Sequence, residues 1–281
     1  MCGRVRNDEV SDTYRAITPW VNPVARALRQ GRVCIGACSI GFAGPAVAQV
    51  FATAGFSWYY VDMEHGRLSY EGLEHISNAS KSAGIVPVAG PTSIGDHLVV
   101  RPLDAGAMGV VVPHVENASQ VEQIVQWTRY PPVGERGLLT RGVFNNFERV
   151  DTVEWIESQN QEVLVAVKVE SAAGIDNIDE IANVPGLDAI LIGPGDLSLS
   201  MGIPGQTGHP DVRDAISKML RAVKRAGIAG GPHTGRNPRE IADWVEQGAT
   251  FMAITTDSSL LYEISAATVS ETKDLLGDRL L

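Results

Sequence analysis

The chain has 281 residues, enough for one large domain, and its 44% hydrophobic and 20% charged residues are ordinary for a globular protein. A formal net charge of −10 argues against a nucleic-acid or anionic-membrane partner, since neither is attracted to an acidic surface. A small anionic substrate stays open, because a metal ion or local cation can reverse the field inside a pocket.

The opening MCGRVRNDEVSDTY lacks the apolar core of a secretion signal, and residues 1–21 read as an N-terminal extension. No later apolar run approaches membrane-spanning length. Cys2, Cys34 and Cys38 are too few and too odd in number for a disulfide framework, which fits a reducing compartment and a cytoplasmic location. Cys34 and Cys38 lie in one apolar segment and read as buried.

From there the chain alternates. Short apolar or β-branched runs at 33–40, 58–62, 85–89, 109–112, 163–169, 189–192, 228–231 and 251–255 predict eight strands. Amphipathic stretches at 70–83, 118–127, 212–226 and 238–247 predict helices between them. Strand–helix alternation requires parallel pairing with crossovers, and eight units predict a single-domain α/β fold, a (β/α)8 TIM barrel over 22–262. A doubly wound open sheet is the competing arrangement. The segment between 112 and 163 is long enough for a loop and an additional or elongated helix, and the tail reads as a C-terminal helix, 263–281.

In such a barrel the chemistry sits at the C-terminal ends of the strands. YYVDMEHG puts Asp62, Glu64 and His65 at one such end, either as a hydrogen-bonded strand terminus or as a general base, His65, with acidic neighbours that orient it. Glu170 and Asp196 close two consecutive predicted strands, so their carboxylates can converge on a hard divalent ion. Ahead of Asp196, Gly193, Pro194 and Gly195 form a turn whose amides suit a substrate carboxylate. His114 and His233 fall at further strand ends and are candidates for the pocket wall, although a lone histidine is more often structural.

At these residues the chain resembles a known family. YVDMEHG, LDAGAMGVVVPHVENA, TRYPPVGERG, VKVESAAGIDNIDEI, LDAILIGPGDLSLSMG and QGATFMAITTDSSLL together resemble the HpcH/HpaI aldolases, the class II pyruvate aldolases, over about residues 22–262. The resemblance implies a (β/α)8 barrel in a homo-oligomer, a trimer or hexamer, with a C-terminal helix that can be exchanged between subunits. It implies a metal on Glu170 and Asp196 (Mg²⁺ or Mn²⁺, with Co²⁺ also suited), a catalytic His65, and Asp62 and Asp104 supporting that histidine, Asp104 across a subunit boundary. The implied reaction cleaves or forms a 4-hydroxy-2-oxo acid through a metal-bound pyruvate enolate, with a small 2-oxo acid and an aldehyde as partners.

Two positions depart from the family pattern. Gly90 stands where the family carries an arginine at the end of the third strand, and Lys168 stands where it usually has glutamine. Residues i and i+2 of a strand share a face, so Lys168 is expected to point into the pocket with Glu170 and supply the lost positive charge. A salt bridge to a neighbouring carboxylate is the alternative. These changes keep two other functions open: a 2-oxo acid decarboxylase or other carbon–carbon enzyme resembling macrophomate synthase, and a catalytically degenerate binding protein.

Overall fold

The computed structural model of the chain describes residues 21–279. The expected extension, 1–21, therefore lies almost wholly outside the described residues. Eight strands, β1 (Cys34–Ser39), β2 (Trp58–Asp62), β3 (Val86–Gly90), β4 (Gly109–Val112), β5 (Leu164–Val169), β6 (Ala189–Ile192), β7 (Ala229–Thr234) and β8 (Phe251–Thr256), pair in chain order into a closed barrel. Every pairing is parallel, and β8 closes on β1 with Cys34 opposite Phe251. The open-sheet alternative is excluded.

Around them run α1 (Pro23–Arg29), α2 (Pro45–Ala54), α3 (Tyr70–Ala83), α4 (Asp96–Asp104), α5 (Ala118–Thr128), α6 (Thr152–Glu162), α7 (Ala172–Asp176), α8 (Ile178–Ala182), α9 (Pro194–Ser200), α10 (Pro210–Ala226), α11 (Pro238–Glu246) and α12 (Asp257–Leu276). The long segment before β5 resolves into α5, a loop with one 3₁₀ turn, and α6. A small core of Tyr130, Phe144 and Trp155 packs that insert.

Alternate strand residues fill the barrel. Trp58 and Tyr60 of β2, Val86 and Val88 of β3, Leu164 and Ala166 of β5, Leu191 of β6 and Phe251 of β8 belong to one buried cluster, and α1 contributes Val24 and Leu28 to it. Large and small residues interdigitate: Trp58 stacks on Phe251 with ring centroids 4.2 Å apart, and a Cβ at Gly36 would lie 2.3 Å from the Trp58 ring. The intervening strand residues, such as Val165, Val167 and Val169, pack outward against the helices. With both strand faces buried, the strands read as continuous apolar runs.

The C-terminal helix starts earlier than expected. β8 passes straight into α12 because the Thr256 hydroxyl accepts the Ser259 N–H and so caps the helix. The Asp257 carboxylate turns back to the loop after β1, accepting from Ser39 Oγ (2.7 Å) and from the N–H groups of Ile40, Gly41 and Phe42.

Candidate active site

The polar strand ends meet at one mouth of the barrel. At the end of β2, Asp62 is 3% exposed and its Oδ1 accepts the N–H groups of Glu64 (2.8 Å) and His65 (2.9 Å). This is an Asx turn. Asp62 thus fixes the main chain that carries His65, and among the described residues no hydrogen bond or ion pair joins its carboxylate to the imidazole.

Glu64, which follows in the same turn, sits between two histidines. Its Oε1 lies 2.6 Å from Nε2 of His114, and its Oε2 lies 3.7 Å from Nε2 of His65. His114 follows β4 in a left-handed conformation (φ 58°), which a non-glycine residue rarely adopts without a surrounding constraint. Its other ring nitrogen, Nδ1, is 3.7 Å from Glu170 Oε2.

Lys168 and Glu170, two residues apart at the end of β5, do point the same way. Nζ lies 2.5 Å from Glu170 Oε1, with the side chains 7% and 2% exposed. The ammonium pairs with Oε1, while Oε2 lies 3.7 Å from His114 Nδ1, beyond hydrogen-bond distance. Burial pushes the Glu170 carboxyl up, Lys168 pulls it back, and Asp196 raises it again. Burial pushes Lys168 down, but the attraction of Glu170, with Asp62 and Glu64 behind it, leaves it above its ordinary value. The pair is a salt bridge, as one of the two expectations held, and its ammonium is a positive charge at the mouth.

Asp196 lies in the first turn of α9, exposed, close enough to Glu170 for its charge to be felt there. The turn before it is tight against the carboxylate: a Cβ on Gly193 would fall 2.3 Å from Glu170 Oε1 and 2.9 Å from Lys168 Cε. Gly195 faces open space. His233, on β7, accepts no charge easily. Burial, and then the Lys168 ammonium, push its imidazole down to about 4, and its Nε2 lies 3.4 Å from the Thr255 carbonyl.

Asp104 is elsewhere. It occupies the last residue of α4 in the outer ring, where Arg136 Nη2 binds it at 2.8 Å, and no interaction among the described residues joins it to His65.

A divalent cation fits what is present. Glu170 offers a buried carboxylate with Oε1 paired to Lys168 and Oε2 free of any close donor, the charge of Asp196 reaches it, and glycine at 193 keeps the adjoining space clear. Among the described residues no group of three or more His, Cys, Asp or Glu side chains is placed to hold a metal ion, so an ion here would take two carboxylates and fill its other positions with water or substrate. The sequence singled out every member of this group except Tyr60, whose ring reaches the same mouth from inside the barrel. A tyrosine in an apolar strand reads as core, and no sequence signal set it apart.

The family model for HpcH/HpaI aldolase/citrate lyase matches residues 40–263. A 2-keto-3-deoxy-L-rhamnonate aldolase of Klebsiella pneumoniae is 34% identical over 239 residues, covering 85% of this chain and 88% of that protein. The crystal structure of an HpcH/HpaI aldolase from Desulfitobacterium hafniense DCB-2 superposes with a TM-score of 0.85 at 31% identity, covering 90% of this chain and 97% of that one. A citrate synthase superposes with a TM-score of 0.80 at 30% identity, covering 89% and 97%. Macrophomate synthase, at 23% identity and a TM-score of 0.78 over 96% and 97%, shares the fold.

Proposed function

The chain belongs to the HpcH/HpaI aldolase/citrate lyase family and is an aldolase, a carbon–carbon lyase, and we propose that it cleaves or forms a 4-hydroxy-2-oxo acid with Glu170 and Asp196 holding its divalent ion. Aldolases of this class generally use a divalent metal and act on small keto acids and aldehydes. One observation carries the assignment of ligands: Glu170 is a buried carboxylate at the barrel mouth that feels the charge of Asp196, with glycine at 193 leaving room beside it. Two oxygen ligands with the remaining positions open to water and substrate suit Mg²⁺ or Mn²⁺, and Co²⁺ is compatible with them. Such an ion, when bound, polarises the 2-oxo group and steadies negative charge on the pyruvate carbon.

The chain's own groups do the rest. Lys168 offers its ammonium to the anionic end of the substrate, while the Gly193–Pro194–Gly195 turn leaves main-chain room for the substrate carboxylate. His65 is the base that takes the proton from the 4-hydroxyl, oriented by the Asp62 turn below and by Glu64 beside it. His114 and His233 line the pocket, the first against Glu64 and Glu170 and the second uncharged. Asp104, outside the mouth, acts from a neighbouring subunit. That role requires a homo-oligomer, a trimer or hexamer. The apolar groove of about 420 Å³ between α2 and α12, lined by Phe42, Val50, Leu261 and Ile264, supports one. The protein works in the cytoplasm, a reading supported by the free, buried Cys34 and Cys38; among the described residues no helix is long and apolar enough to cross a membrane.

A second reading has an observation in its favour. The 30%-identical citrate synthase shows that related chains form carbon–carbon bonds by another route, and Gly90 and Lys168 alter this mouth. There the same charged carbon would arise by decarboxylation or be used in a different addition. A degenerate binding protein would have no need to keep Glu170, Asp196 and His65 together.

The test is exchange. In deuterated water, protein reloaded with Mg²⁺ after chelation is expected to exchange the methyl protons of pyruvate, and chelated protein to lose that exchange at least a hundredfold. Pyruvate release from oxaloacetate without exchange on pyruvate would favour the decarboxylase. Neither signal would remove both enzymatic readings.

A further inference from the structure

Of the strands that bring residues to the mouth, β3 is the one that ends without a side chain. Asp62 ends β2, His114 follows β4, Glu170 follows β5 and His233 is near the end of β7, whereas β3 ends at Gly90. In register, Gly90 is level with Asp62. Its missing side chain leaves no hole. A Cβ on Gly90 would lie 2.5 Å from Tyr60 Oη, 2.6 Å from Cε2 and 2.8 Å from Cζ, so the outer edge of the Tyr60 ring occupies the volume into which a β3 side chain would project. Tyr60 starts one layer deeper, on the same inward face of β2 as Asp62, and its hydroxyl is carried up to the level of the site by its own length.

Among the described residues no hydrogen bond uses that hydroxyl, and Tyr60 is 1% exposed. A hydroxyl without a protein partner, held beside a cluster of ionisable groups, is placed to bond a ligand that enters the mouth. Its neighbours also decide its protonation. Burial first, then the charge of Asp62, with Glu170 and Glu64 further off, push the phenol well above its usual range, so it stays a neutral donor. The His233 ring stands edge-on to it at 6.5 Å and holds the other side.

We propose that Tyr60 is a substrate-contacting residue, its hydroxyl donating a hydrogen bond to an oxygen of the bound 2-oxo acid, and that Gly90 is the position that admits it. The pair sets specificity: β3 presents a neutral donor carried over from β2. This rests on the aldolase reading for the identity of the ligand.

The experiment uses the Mg²⁺-loaded full chain with pyruvate and with oxalate. Wild type is expected to show a tyrosine ultraviolet difference band on binding either anion. Tyr60→Phe keeps the ring and removes only the oxygen; it is expected to bind pyruvate about tenfold more weakly, to lose the band, and to bind Mn²⁺ as wild type does. Gly90→Ala, which forces the ring aside, is expected to weaken pyruvate binding while leaving Mn²⁺ binding intact. Unchanged pyruvate affinity in Tyr60→Phe, or a wild-type protein that binds pyruvate without any tyrosine band, overturns the proposal alone. A wild type that binds neither anion overturns the aldolase reading and takes the proposal with it.

Discussion

Glu170 keeps its place because the residue facing it has no side chain. A Cβ at 193 would overlap Oε1, and the neighbouring oxygen Oε2 is within 3.7 Å of the His114 ring, so the carboxylate has little freedom to move away. Such crowding joins His65, Glu64, His114, Glu170 and Lys168 into one line of alternating basic and acidic groups, with successive separations of 3.7, 2.6, 3.7 and 2.5 Å. His233 stands beside this line as an uncharged wall, and that has a consequence for stability. Its folded pKa is near 4, below the ordinary histidine value, so between those values the unfolded chain binds a proton that the folded chain does not. Stability therefore rises with pH across that window and is lost as pH falls from about 6.5 toward 4. Urea denaturation across that range is expected to show the loss in wild type and a shallower slope in His233→Phe; parallel slopes would contradict it. At this scale the sequence exposed the carboxylates and histidines, because ionisable groups at the ends of apolar runs stand out. It did not expose Asp62's work, since a carboxylate that caps a turn and one that orients an imidazole look alike until the hydrogen bonds are known.

Among the elements, the strands were the most legible. β2, β4 and β6 begin and end where the apolar runs do, and α3 spans its predicted 70–83, capped by Ser69 and stopped at Gly84 in a left-handed turn. The start of α12 is capped locally by Thr256, but the contact made by the next residue, Asp257, is long-range and was not legible. Asp257 neutralises three successive N–H groups of the loop after β1 and the Ser39 hydroxyl, binding the first strand to the last where the barrel closes. Those bonds to the charged form, with the Ser39 hydroxyl first among them, outweigh burial and hold the Asp257 carboxyl below its usual range. Asp257→Ala is expected to cost about 1–3 kcal/mol in chemical denaturation, since it strands buried donors. The deficit should shrink as pH falls below about 4, because protonation removes the same interaction from wild type. A variant as stable as wild type at neutral pH would show that the loop is held by other means.

For the whole molecule, the closed parallel barrel follows from eight strand–helix units and the family match over residues 40–263, and its topology alone brings residues from 62 to 233 in the chain to one mouth. What sequence could not give is which charged residues lie on the outside of that barrel. Asp104 and Arg136 pair in the helical ring, and only an assembly of chains could carry Asp104 to another mouth. Sequence also hid Tyr60, since an inward aromatic on a strand reads as packing, and only the structure shows its ring reaching past Val88 to the space beside Gly90. The reading stands on Glu170 and Asp196 sharing one ion, and titration with Mn²⁺ followed by electron paramagnetic resonance measures that directly. Wild type is expected to take up one ion per chain, Glu170→Gln and Asp196→Asn to bind at least tenfold more weakly, and Gly193→Ala to be weakened with them. Full-strength Mn²⁺ binding by Glu170→Gln would contradict the account.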